Sequence, residues 1–272
     1  MHMKFLEKLK QAGNSHNSLL CVGLDPDPKL MPVGMTALEF NREIIAATAP
    51  FVCGYKINLA FYEALGKQGW EILSETCKLI PPELLSIADA KRGDIGNTSK
   101  AYARAVFDEL GCDGVTASPY LGYDSLEPFI EYQDKGIFIL CRTSNQGSAD
   151  FQMLKTEYLG QKRFLYEVVA DKSLQWNRYE NIGLVVGATQ QEELKKLRLS
   201  YPKMPFLIPG IGAQGGDLKA TVENGTNQSG QLALICASRG ILYARSGSEF
   251  AQGAAEAAKQ MRDAINHYRK RF

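Results

Sequence analysis

Short, continuous apolar runs alternate along the chain with stretches whose apolar residues recur at helical spacing. A run that is apolar throughout, rather than apolar at every second position, is the pattern of a strand buried on both faces, as in a parallel sheet covered by helices. Eight such runs are present, at 19–24, 51–57, 84–88, 114–117, 137–141, 182–186, 206–208 and 232–237. Helical periodicity predicts helices over 36–49, 59–80, 98–110, 123–134, 190–201 and 247–267, with shorter ones at 5–12 and 164–173. Eight strand–helix units in 272 residues have the size and count of a (β/α)8 TIM barrel, an α/β fold of eight parallel strands. A doubly wound open sheet is the other arrangement of the same units. No linker, low-complexity tract or charge block interrupts the alternation, so a single domain over 1–272 is expected. The longer segment at 146–160 is expected to be a mobile cover over the loop after the fifth strand.

Polar groups collect at the C-terminal ends of these runs, the end at which barrels build active sites. Asp25 follows the first strand, Lys56 lies on the second, and Asp89 and Lys91 close the third. Ser118 follows the fourth, Arg142-Thr143-Ser144 the fifth, a glycine-rich loop the seventh and Ser238-Arg239 the eighth. Asp89 and Lys91, two apart, share one face of a strand. Facing inward they form an acid–base pair in a low-dielectric interior, where charges persist only when paired; facing outward they are a solvated ion pair. Lys56 either snorkels to solvent or points inward to a counter-charge, and helices covering the outer face favour the second. Asp25, before Pro26, either opens a turn or offers its carboxylate to a hydroxyl.

The stretch from Gly210 to Gly216, Gly-Ile-Gly-Ala-Gln-Gly-Gly, has the G-x-G-x-x-G spacing of a dinucleotide loop. The acid expected at the end of the following strand is missing, since 232–238 holds neither Asp nor Glu. A glycine loop after strand seven with an arginine after strand eight fits a barrel phosphate site better, with Gly212 allowing close backbone approach and Gln214 and Arg239 reaching the anion. A plain turn is the simpler alternative.

Composition narrows the choice. A net charge of +1 supplies no field for nucleic acid or a membrane surface, and no apolar run reaches bilayer-spanning length. The N-terminal residues show no signal-peptide core. The six cysteines form no C-x-x-C pair, and the three histidines, His2, His16 and His267, lie near the ends of the sequence. A reduced, cytoplasmic chain without a metal centre or a histidine catalyst is expected.

The residues together resemble the orotidine 5′-phosphate decarboxylase family. Asp-Ala-Lys-Arg-Gly-Asp-Ile-Gly-Asn-Thr at 89–98 is similar to its Asp-x-Lys-x-x-Asp signature, and Leu24-Asp25, Tyr55-Lys56, the loop 209–216 and Ser238-Arg239 stand in the family's order. Ser118-Pro-Tyr-Leu-Gly-Tyr-Asp124 and the stretch Asn224-Gly-Thr-Asn227 resemble the longer bacterial subgroup. The resemblance implies cofactor-independent decarboxylation of the nucleotide to UMP, the last step of de novo pyrimidine synthesis. It implies Lys91 as the proton donor to C6 within an alternating Lys56–Asp89–Lys91–Asp94 network. Asp25 and Lys56 would bind ribose, Ser144 the pyrimidine, and Gly212, Gln214 and Arg239 the phosphate. Asp94 and Thr98 would reach into a partner's site, making a homodimer with shared sites. The Arg142-Thr-Ser-Asn145 run departs from the Met-Ser form of that loop. Metal-dependent sugar-phosphate decarboxylases or aldolases of the same suprafamily are the alternative, but they carry an acid where this chain has Lys56; a non-enzymatic phosphate-ligand sensor on a barrel is another.

Overall fold

The computed structural model describes residues 3–212 and 215–269. The chain runs α1 (Phe5–Ser15), β1 (Leu20–Gly23), α2 (Ala37–Thr48), β2 (Gly54–Asn58), α3 (Leu59–Glu63), α4 (Lys67–Leu79), β3 (Leu85–Arg92), α5 (Gly96–Arg104), β4 (Gly114–Ala117), α6 (Tyr123–Ile130) and β5 (Gly136–Arg142). It continues with α7 (Ala149–Gln152), β6 (Lys155–Tyr158), β7 (Gln161–Phe164), α8 (Leu165–Trp176), β8 (Ile182–Val186), α9 (Gln191–Ser200), β9 (Phe206–Ile208), α10 (Leu218–Gly225), β10 (Ala233–Ala237), α11 (Arg239–Leu242) and α12 (Phe250–Tyr268). Strands β1–β5 and β8–β10 close into a barrel in which sequence neighbours pair in parallel and β10 returns to β1. The open-sheet alternative is thereby removed.

Two apolar layers result. The outward faces of the strands carry residues such as Val22, Ile57, Val115 and Ile139 into the shell under the helices. The inward faces place Cys21, Ile87, Phe138, Leu207 and Cys236 in the barrel interior. Helix α1 stoppers the N-terminal end: Phe5 stands edge-on to Phe138 with ring centroids 5.6 Å apart. Gly136 is required beneath it, because a Cβ there would come within 2.6 Å of the Phe5 ring. With that end plugged, the accessible interior opens at the C-terminal ends of the strands.

The structure departs from the sequence expectation at several boundaries. The helix expected over 59–80 is two, α3 and α4, because the chain turns at Gly66, whose φ of +66° is costly for other residues. Strand three runs on to Arg92 rather than stopping at 88, so Asp89 and Lys91 lie within it. The strand expected from 51 begins at Gly54, after a 3-10 turn over Ala49–Phe51 that contains Pro50. The segment after strand five contains α7 and the antiparallel hairpin β6–β7, which packs beside α8; Ser148 and Gln152 of this segment bond Arg142 and Thr143 at the end of strand five.

Candidate functional site

Strand β3 is irregular where the charges sit. Its register against β4 shifts between Ala88 and Arg92, so that Asp89, Ala90 and Lys91 face the single residue Thr116 between the Ala88–Val115 and Arg92–Ala117 pairs. Lys91 takes a left-handed φ of +50° there. Asp89 and Lys91 nevertheless share the inward side. Behind them Arg92 pairs with Glu63 and lies over the Tyr102 ring, 5.0 Å from its centroid, which ties the strand end to α3 and α5.

Asp89 is the hub. Its Oδ2 accepts from Lys56 Nζ at 2.8 Å, and its Oδ1 accepts from Lys91 Nζ at 2.6 Å and from Thr116 Oγ1 at 2.8 Å. The side chains of Lys56 and Asp89 are only 8% and 11% exposed, whereas that of Lys91 is 51% exposed and available to a ligand. Burial by itself would raise the Asp89 carboxyl, but the Lys56 and Lys91 charges overcome it and hold the group well below the usual carboxylate range. Burial would likewise lower Lys56, yet Asp89 and Asp25 together raise it above the usual lysine range. Both groups of the buried pair are therefore ionised at neutral pH.

These residues line a cavity of about 640 Å³ at the open end of the barrel, together with Asp25, Ser144 and Arg239. The loop after β1 is held by Tyr243, whose hydroxyl accepts from Asp27 N at 2.7 Å and donates to the Asp25 carbonyl at 3.1 Å. Asp25 Oδ1 is buried without a hydrogen-bond partner among the described residues, an unsatisfied acceptor on a residue of the cavity lining. The strand-five loop is clamped by Gln152, which accepts from Thr143 N at 2.8 Å and donates to Thr143 Oγ1 at 2.9 Å. Behind it, buried Arg142 bonds Ser148 and donates to Gln190 Oε1 at 2.8 Å, with Glu193 at 3.5 Å. In the glycine loop Pro209, Gly210 and Ile211 line the cavity, while Gly212 adopts a φ of +77° and lies beyond the lining. Gln214 lies outside the described residues.

Asp25, Lys56, Asp89, Lys91, Ser144 and Arg239 thus line one cavity. Asp94 and Thr98 do not join them within this chain: Asp94 Oδ1 accepts from Ile95 N at 2.8 Å, and Thr98 is exposed on α5. Of the four charges expected to alternate, three form the cluster. Sequence reasoning missed Thr116, Gln152 and Tyr243. Thr116 left a faint signal, a hydroxyl inside the fully buried strand Gly114–Ala117. Gln152 and Tyr243 left none, since they reach the site from short connecting segments.

Comparison with known proteins supplies the relationship. The model of the orotidine 5′-phosphate decarboxylase / HUMPS family matches residues 18–254. An orotidine 5′-phosphate decarboxylase of Dehalococcoides mccartyi is 90% identical over 270 residues, covering 99% of this chain and 100% of its own. One from Herpetosiphon aurantiacus is 47% identical over 273 residues, covering 97% and 99% respectively. The solved OMP decarboxylase of Leishmania donovani matches with a TM-score of 0.85 at 40% identity, covering 98% of this chain and 99% of that one. Barrel, charged cluster and relatives agree from end to end, and the chain belongs to the orotidine 5′-phosphate decarboxylase family.

Proposed function

We propose that Lys91 is the proton donor in the reaction this chain carries out, the decarboxylation of orotidine 5′-phosphate to UMP and CO2 in pyrimidine synthesis. The chain is a carbon–carbon lyase. The observation that carries the mechanism is the Lys56–Asp89–Lys91 cluster in the cavity wall. When the bond from C6 to the carboxylate breaks, its electron pair stays on C6 and neutral CO2 leaves. The carbanion has no adjacent carbonyl to spread its charge, so fixed cationic charge must stabilise it. The Lys91 ammonium, half exposed to the cavity, faces that charge and transfers a proton to C6, and the neutral amine is reprotonated from water. Asp89, ionised beside the substrate carboxylate, repels it in the ground state, and the repulsion ends as CO2 departs.

The remaining side chains bind. Asp25 accepts ribose hydroxyls with Lys56 beside it, Ser144 meets the pyrimidine, and Gly212, Gln214 and Arg239 hold the phosphate, whose binding energy serves the reaction at C6. On this reading no metal or cofactor is needed. Lys56 distinguishes it from the metal-dependent sugar-phosphate relatives, because an ammonium 2.8 Å from Asp89 occupies the position where those proteins need a ligating acid. A pure phosphate-ligand sensor would have no use for the buried pair.

The chain works, on this proposal, as a cytoplasmic single-domain barrel paired into a homodimer. Its six cysteines are free, five of them buried, which suits a reducing compartment, and no described helix is long and apolar enough to cross a membrane. Asp94 and Thr98, outside the lining of their own cavity, are available to a partner's, and Ile95, Tyr120 and Leu121 in the neighbouring loops are exposed at 60%, 81% and 48%. The test is loss of the orotate absorbance on incubation of the substrate with purified protein. Lys91→Ala and Asp94→Ala homodimers should both be inactive, and mixing them should restore activity through hybrids with one intact site. Activity abolished by EDTA and restored by magnesium would refute the metal-free mechanism; no rescue on mixing would refute the shared site.

A further inference from the structure

We infer that Thr116 is a positioning residue for the decarboxylation, holding Asp89 and the Lys91 backbone in register while the Lys91 amine moves. The inference rests on the reading of Lys91 as the proton donor. Thr116 is 1% exposed and lies on β4, opposite the three-residue irregularity of β3. Its hydroxyl is used in two directions. It accepts the Lys91 backbone N–H at 3.0 Å and donates to Asp89 Oδ1 at 2.8 Å, the oxygen that also accepts from Lys91 Nζ at 2.6 Å. A ring closes from the Lys91 N–H through Thr116 and Asp89 to the Lys91 ammonium.

The irregularity explains why a hydroxyl is needed. A strand in register would hand the Lys91 N–H to the β4 backbone; here three β3 residues stand against one, and the side chain of that one residue takes the donor instead. The Lys91 φ of +50° is disfavoured for any residue with a Cβ and persists only where its surroundings fix it. Proton delivery requires the Lys91 ammonium to leave Asp89 Oδ1. At that moment Thr116 is the donor that remains on this oxygen, and with Lys56 on the other oxygen it keeps the carboxylate from following the amine. A β-branched side chain suits the task, because its χ1 is stiff on a strand.

Thr116→Val keeps the shape and removes the hydroxyl; Thr116→Ser restores the hydroxyl without the methyl. A hydrogen bond to a charged group corresponds to about 10- to 100-fold in rate. The expected result is a fall of that size in kcat for Thr116→Val, with UMP affinity measured by calorimetry within about threefold of wild type. Thr116→Ser should recover most of kcat, and Thr116→Ala replaces the valine variant if that does not fold. Wild-type kcat in the valine or alanine variant overturns the inference. So does an equal fall in the serine variant, or a fall in kcat matched by loss of UMP binding, since either outcome makes Thr116 a packing residue. A wild-type protein that leaves the substrate unchanged, or a Lys91→Ala variant as active as wild type, refutes the decarboxylation mechanism instead and is told apart in the same assay.

Discussion

Removing Lys56 tests the electrostatics of the site through stability alone. In Lys56→Met the apolar volume is largely kept while the buried Asp89 carboxylate loses the partner at 2.8 Å. Deleting one member of a buried pair costs about 3–5 kcal/mol. Asp89 retains Thr116 and the half-exposed Lys91, so the expected loss at neutral pH is about 2–3 kcal/mol, less than for a stranded charge. Urea unfolding of the two proteins measures it.

The pH dependence carries the sharper test. In the wild type Asp89 is depressed below its unfolded value, so its contribution is present above the ordinary carboxylate range and falls away as acid titrates the unfolded chain first. Without Lys56 the lowering influence of that cation is gone, burial weighs more heavily, and the folded carboxyl takes up its proton more readily. The stability gap between the two proteins should therefore narrow as pH drops from about 6 to about 3, by up to about 1.4 kcal/mol per pH unit. On the alkaline side the raised Lys56 contribution is complete below the ordinary lysine range and is lost as pH rises through the folded value, so the gap should shrink there too. A gap that stays constant over the acid range would refute the assignment of Asp89 as the counter-ion of Lys56.

Two further outcomes bear on how the cavity holds a ligand. In Gly187→Ala the new Cβ would lie 2.7 Å from the Ser144 backbone, so the strand-five loop must move; we expect a fall in kcat/KM of about tenfold with a modest drop in Tm, and an unchanged kcat/KM would remove that loop from substrate binding. In Arg239→Ala the KM for the phosphorylated substrate should rise by about 10- to 100-fold, while slow turnover of orotidine, which lacks the phosphate, stays equal in both proteins. A similar loss with orotidine would place Arg239 in something other than phosphate binding.

What the sequence disclosed follows from the range of each interaction. Continuous apolar runs revealed the strands because burial on both faces is written locally, and alternation put Asp89 and Lys91 on one side of strand three. Closure was not written locally: it depends on β10 pairing with β1, as in Leu20 against Ile235, and an open sheet would use the same runs. The hairpin β6–β7 was illegible because Lys155–Tyr158 and Gln161–Phe164 are mostly exposed and polar, with no buried face to impose a period. Thr116 escaped notice for a different reason. Its role arises from the register of β4 against an irregular β3, and register is a property of two strands together.

The same geometry explains how a barrel interior tolerates so many charges. Below the cluster the interior is sealed by Phe5 and Phe138 and floored by Cys21 and Cys236. The Cys236 contact and burial push the Cys21 thiol well above its usual range, despite the opposing pull of Lys56. Cys21 therefore stays in its neutral thiol form beneath Lys56. Lys56 is left to Asp89, Asp89 is shared with Lys91, and Lys91 alone is exposed enough to trade its contact for a substrate. Each charge is compensated by the one behind it, so the only ion pair that can open without stranding a buried charge is the outermost. On the proposed mechanism, an exposed ammonium at that end lets the outer pair break during turnover while the inner pair stays closed.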